Sequence, residues 1–243
     1  MTITMKLLMS VLPRLDLRAF DGDLADVLAV PAPAGEGTAA LVREIVASVR
    51  EQGDAAVRRL TARFDEIELD DLRVPQADLD LALAGAAPAF RAALDYARDR
   101  ITTYHEAQIE PEIELDRDGM TVREVVVPVD RAGLYVPGGR AAYPSTVLMT
   151  AIPARVGGVR EIALCVPPDG DGKVAAPTLA AAALVGVDEV YRIGGAQAIA
   201  AMAYGTESIP PVDVIVGPGN VYVAEAKREV AGVVGIESRA GPS

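Results

Sequence analysis

A chain of 243 residues, 51% hydrophobic yet only 4% aromatic and without tryptophan, can bury a substantial core of Ala, Val, Leu and Ile. A formal charge of −12 with no run of Lys and Arg argues against a nucleic-acid surface. One cysteine, Cys165, excludes an internal disulfide framework and fits a reducing compartment, and no stretch nears the ~20 apolar residues of a membrane span. The apolar run Lys6 to Leu12 is short and lacks a small-residue cleavage site. Residues 1–18 therefore read as an N-terminal extension, and the protein as cytoplasmic.

Residues 19–37 are rich in Pro, Gly, Ala and Asp and read as loop. Leu41, Val42, Ile45, Val46 and Val49 recur at helical spacing as far as Gly53. Asp54 is placed to cap a second helix that carries Val57, Leu60 and Phe64 inward. A short helix is predicted from Pro75. A longer one starts at Pro88 and puts Phe90, Leu94, Ala97, Ile101 and Tyr104 on one face. The period then changes. Ile113 and Leu115 alternate with charges, Asp118-Gly119 supplies a hairpin turn, and Val122 to Val129 continue as strand.

From Leu134 the pattern alternates strand and helix. Apolar runs at 134–136, 162–166, 190–193, 212–216 and 233–236 are separated by helical stretches beginning near Pro144, Pro177, Gly195 and Val221; Pro153 is expected to kink the first. Such alternation implies a right-handed, mainly parallel α/β sheet. The expected organisation is a helical plus hairpin segment over 19–130 and a Rossmann-like nucleotide-binding domain over 131–243.

Three strands run into glycine-rich corners, Pro137-Gly138-Gly139, Gly194-Gly195-Ala196-Gln197 and Gly217-Pro218-Gly219-Asn220. A helix that starts at such a corner aims unpaired N–H groups and its positive dipole end above the sheet edge. The last corner lacks the third glycine of the dinucleotide fingerprint, which is Tyr222 here, and no Lys-Ser/Thr follows as in a P-loop. A bound phosphate and a merely structural turn both account for it. Gln197 sits in the first turn of its helix and reads as a ligand contact or a solvated polar residue. Tyr135 reads as a ligand-stacking phenol or a cover for the sheet edge. Cys165, mid-strand, reads as a buried inert thiol, and His105 as a structural residue near a helix end. Lys227 and Arg228, between Glu225 and Glu229, read as exposed ion pairs. One His and one Cys cannot furnish an ordinary zinc site, and no carboxylate spacing suggests calcium.

Taken together, Gly133-Leu134-Tyr135-Val136-Pro137-Gly138-Gly139, Pro144-Ser145-Thr146-Val147-Leu148-Met149, Gly194 to Ala200, Gly205-Thr206-Glu207-Ser208, Gly217-Pro218-Gly219-Asn220, Glu225 to Arg228 and Ala240-Gly241-Pro242-Ser243 resemble histidinol dehydrogenase. That resemblance implies a zinc-dependent homodimer with Rossmann-like domains, oxidising L-histidinol to L-histidine in two hydride transfers to NAD. It also implies that Tyr135, Gln197 and Asn220 contact NAD and that Ser243 contacts substrate. In that family the zinc ligands and the general-base Glu-His pair follow the Ala-Gly-Pro-Ser motif, where this sequence stops. The resemblance therefore implies a chain without catalytic or metal residues of its own, inactive in isolation. The competing readings are an inactive NAD-binding or dimerisation module and a split enzyme completed by a second polypeptide. Glu237-Ser238-Arg239 departs from the apolar approach expected before the final motif.

Overall fold

The computed structural model describes residues 17–18, 20–23, 27, 35–138 and 141–237. The unit that carries the sheet spans 34–243. The N-terminal extension lies largely outside the described residues, and Gly139 and Ser243 lie wholly outside them.

The first two predicted helices meet at a kink and are taken together as α1 (Glu36–Phe64); Gly53 leaves helical geometry there at φ 52°, ψ −132°. Asp54 does not cap a new helix with its own side chain. Its N–H is taken by the Glu207 carboxylate at 2.7 Å, and its carboxylate accepts from the Ser208 N–H and hydroxyl. Burial alone would raise the Asp54 pKa, but the Ser208 bonds hold it below the usual carboxylate range. The Gly-Thr-Glu-Ser motif therefore clamps the bend of α1 from a distant loop.

Next come α2 (Gln76–Ala84) and α3 (Pro88–Glu106), the latter with Pro at its first turn. Leu94 is buried as the periodicity required, but Tyr104 is 63% exposed and points away from the core. Strands β1 (Ile113–Arg117) and β2 (Met120–Glu124) form the expected hairpin. Asp118 and Gly119 both take positive φ, 54° and 79°, as a tight two-residue turn demands. Strand β2 ends at Glu124, and Val125 to Val127 are exposed rather than paired.

The remainder alternates as predicted: β3 (Arg131–Tyr135), α4 (Pro144–Val156), β4 (Glu161–Cys165), α5 (Ala176–Leu184), β5 (Glu189–Tyr191), α6 (Gly195–Tyr204), β6 (Val214–Val216), α7 (Val221–Val230) and β7 (Gly235–Ile236). Helix α4 runs on through Pro153 to Val156. The five strands from β3 onward pair in parallel in the order β5-β4-β3-β6-β7. This is a Rossmann-like α/β architecture preceded by helices and a hairpin.

Side chains alternate across the sheet. Tyr135, Ala163, Cys165, Tyr191 and Ile215 pack on one face with α1, α6 and α7. Leu134, Ile162, Leu164 and Val190 pack on the other with α4 and α5, which α3 and α2 cover in turn. Both faces are buried, which is why the strands read as continuous apolar runs. At the amino edge, the buried Arg131 guanidinium joins β3 to β4 and β5 through Glu161 at 2.8 Å and through Glu189.

Candidate functional site

Strand order reverses between β3 and β6: from β3 the chain moves outward to β4 and β5, then returns to lay β6 and β7 on the other side. Connections leaving the two sides of such a reversal diverge, which opens a crevice beyond the carboxyl ends of the strands. A cavity of about 880 Å³ occupies this place. Pro137 and Gly138 after β3, Pro167 and Pro168 after β4, Gly195 and Gln197 after β5, and Pro218 and Asn220 after β6 all line it. Tyr135, Gln197 and Asn220, singled out on separate motifs, thus share one pocket. Ser243 is outside the described residues.

The corners are held by close backbone contact. Gly217 has φ +123°, and a Cβ there would lie 2.0 Å from the Tyr135 carbonyl oxygen. Only glycine lets the end of β6 approach the end of β3 so closely. The Gly217 N–H donates to Glu237 at 2.9 Å, and the Gly217 carbonyl accepts from Lys227. Lys227 is 6% exposed and also pairs with Glu237 at 2.8 Å. It is therefore a buried brace for the corner, not the exposed ion pair read from its neighbours; Arg228 does pair with Glu225 at 2.7 Å. Of the polar stretch Glu237-Ser238-Arg239, Glu237 has a structural role, since its carboxylate holds both Lys227 and the Gly217 N–H.

Tyr135 is buried, and its hydroxyl accepts from the Gly195 N–H at 3.1 Å. One orphan donor of the α6 N-terminus is thereby satisfied. Burial pushes the phenol up to about 12, the Gly195 bond opposes this, and the Asp65 charge adds to it. The hydroxyl stays protonated at neutral pH and can donate to a ligand. Gln197 is 2% exposed, lines the pocket, and no described residue hydrogen-bonds its amide. Its Oε1 lies 2.7 Å from the place of a Cβ on Gly195, whose φ of +64° also favours glycine. A buried primary amide offers a donor and an acceptor, and leaving both unmade is unfavourable. Asn220 caps α7: its Oδ1 accepts from the N–H groups of Tyr222 at 3.0 Å and Val223 at 3.1 Å. Those two N–H groups are thus spent on the cap, and what Asn220 presents outward is its Nδ2 donor.

Sequence reasoning missed the wall contributed by α1. Leu41, Ile45, Phe64 and Asp65 line the pocket from outside the strand–helix repeats. Asp65 Oδ2 is buried without a hydrogen-bond partner, and burial pushes its carboxyl up to about 6. No local signal marks it, because a polar residue after a helix usually faces water.

Among the described residues no three His, Cys, Asp or Glu side chains converge as a metal site. His105 lies at the end of α3, its Nδ1 2.7 Å from Gln108 Oε1, and does not line the pocket. Cys165 is fully buried, and burial pushes its thiol well above the ordinary range. The residues described do not fit a zinc ion. No described helix is long and apolar enough to cross a membrane.

Fold and pocket define a Rossmann-like α/β protein with a crevice at the switch point of its parallel sheet. The histidinol dehydrogenase family model matches residues 32–243. The chain belongs to the histidinol dehydrogenase family. The histidinol dehydrogenase of Moorella thermoacetica is 52% identical over 213 residues, 86% of this chain and 50% of that relative. That of Gluconobacter oxydans is 50% identical over 235 residues, 95% of this chain and 54% of that relative. The crystal structure of histidinol dehydrogenase from Elizabethkingia anophelis superposes with a TM-score of 0.83 at 35% identity, covering 88% of this chain and 50% of that one. The chain spans about half the length of the curated relatives it matches.

Proposed function

We propose that the pocket binds NAD and that this chain supplies the coenzyme-binding part of an enzyme oxidising L-histidinol to L-histidine. The observation that carries the reading is the Gln197 amide, 2% exposed, lining the crevice at the reversal of strand order with no hydrogen bond to the side-chain amide from a described residue. Such a group fits a ligand rich in hydroxyls and amides better than a dry structural corner. When bound, NAD supplies the hydride acceptor. Asn220 offers its Nδ2, beside the positive end of α7, to a phosphate or ribose oxygen. The protonated Tyr135 hydroxyl donates toward the adenine or ribose side. Gln197 orients a sugar or the carboxamide end. None of these residues is asked to move the substrate's proton.

The relatives' name, histidinol dehydrogenase, supports the substrate; the two-step oxidation and the Ser243 substrate contact rest on the resemblance alone. An exposed apolar hairpin face, with Ile113, Leu115, Met120 and Val122 each at least half exposed, supports a homodimer in which it is covered. A single cysteine, buried and unpaired, suits the cytoplasm.

Isothermal titration with NAD tests the coenzyme reading. Gln197→Ala removes one or two hydrogen bonds, so the Kd should rise about 5–10-fold. Absence of NAD binding by the folded chain would overturn the proposal. The chain alone should form no NADH from L-histidinol, since its described residues do not fit the zinc ion that the resemblance implies. Turnover by the pure chain would refute that part, leaving NAD binding intact.

A further inference from the structure

We propose that Asp65 is the acceptor for the adenosine ribose hydroxyls and thereby selects NAD over NADP, an inference that rests on the coenzyme reading above. Asp65 follows the last turn of α1, reached from outside the sheet, and lines the crevice beside Phe64. Its Oδ2 is buried and accepts no hydrogen bond from the described residues. An unpaired carboxylate oxygen in a cavity needs a donor, and it strongly disfavours an anion.

The electrostatics of the crevice assign which part of a dinucleotide belongs there. The α7 N-terminus, with the Asn220 donor, is a positive end of the pocket, whereas the Gly195 N–H of the other, α6, is already taken by Tyr135. Asp65 lies at the C-terminal end of α1, where the helix dipole adds to its own negative charge. Phosphates therefore belong by α7, and neutral hydroxyl donors by Asp65. Leu41, Ile45 and Phe64 give the same wall an apolar surface for a flat ring next to the sugar. Asp65 and Tyr135 line the same crevice, near enough for the Asp65 charge to raise the phenol. No Lys, Arg or His is among the described residues lining the pocket. A 2′-phosphate at that ribose would meet a carboxylate and no described cation, whereas a 2′,3′-diol would donate to it.

Titrations of the full chain with NAD, NADP and 2′-deoxy-NAD, and of Asp65→Asn with NAD and NADP, test this at pH 8. The wild-type chain should bind NADP and 2′-deoxy-NAD each about tenfold or more weakly than NAD. Asp65→Asn should lose about tenfold in NAD affinity and bring NAD and NADP to within about threefold of one another. A wild-type chain that binds NAD and NADP equally, or 2′-deoxy-NAD as well as NAD, would overturn the inference even if the variant failed to fold. An unchanged NAD preference in folded Asp65→Asn would overturn it too. Failure of the wild-type chain to bind NAD at all would instead bring down the coenzyme reading on which it stands.

Discussion

Gly217→Ala is the sharpest test of how the corners are assembled. An alanine Cβ would sit 2.0 Å from the Tyr135 carbonyl oxygen, 3.0 Å from its carbon and 3.1 Å from its nitrogen. These are backbone atoms of a central strand, so no side chain can rotate away. Alanine at φ +123° adds about 1–3 kcal/mol of conformational strain. Relieving the clash pulls β6 from β3 and loosens the Gly217 bonds to Glu237 and Lys227, each worth about 1 kcal/mol or more. The expected loss is about 3–5 kcal/mol, a large share of a total stability of about 5–15 kcal/mol. Gly232→Ala is the matched control: its φ is +99°, but a Cβ there meets nothing within 4 Å. It should lose only the strain. Urea unfolding followed by circular dichroism would give both values. Equal destabilisation by the two substitutions would refute the claim that contact with Tyr135 dictates glycine at 217.

Asp65 sets a pH dependence with a definite sign. Its folded pKa of about 6 lies above the ordinary value, so the folded state holds the proton more tightly. The resulting stability is full below about pH 4 and lost as pH rises through about 6. Asp65→Asn should therefore match the wild-type chain at pH 4 and be more stable by about 1–3 kcal/mol at pH 8, read from denaturation midpoints. A variant less stable at pH 8 would contradict this. Glu207→Ala removes the acceptor for the Asp54 N–H at the bend of α1 and should destabilise by about 1–2 kcal/mol. Hydrogen exchange at the Asp54 amide should accelerate, and unchanged protection would show that the clamp is not what holds the bend.

The alternation of apolar runs with alanine-rich helical stretches after Leu134 is enough to call for a parallel sheet, because strands covered on both faces have no polar face to show. The Asp118-Gly119 turn was equally legible, since positive φ at two adjacent positions restricts the residues that serve. The corners were visible for the same reason. Fine detail was not. The break at Gly53 was legible as two helices, but the group that meets the second one was not: the Asp54 N–H is taken by Glu207, 153 residues away, which no local pattern marks. Lys227 read as solvated because its neighbours in sequence are acidic, whereas the Gly217 carbonyl and Glu237 draw it inward.

Local sequence, then, determined which residues stand at strand ends: Tyr135, Gln197 and Asn220 follow from period and glycine alone. Their convergence on one crevice depends on strand order, which local periodicity does not encode, since any order of the same five strands satisfies the same apolar pattern. Asp65 belongs wholly to the tertiary structure. A carboxylate after a helix carries no local mark of burial, and its want of a partner arises only once α1 has packed against α6 and α7.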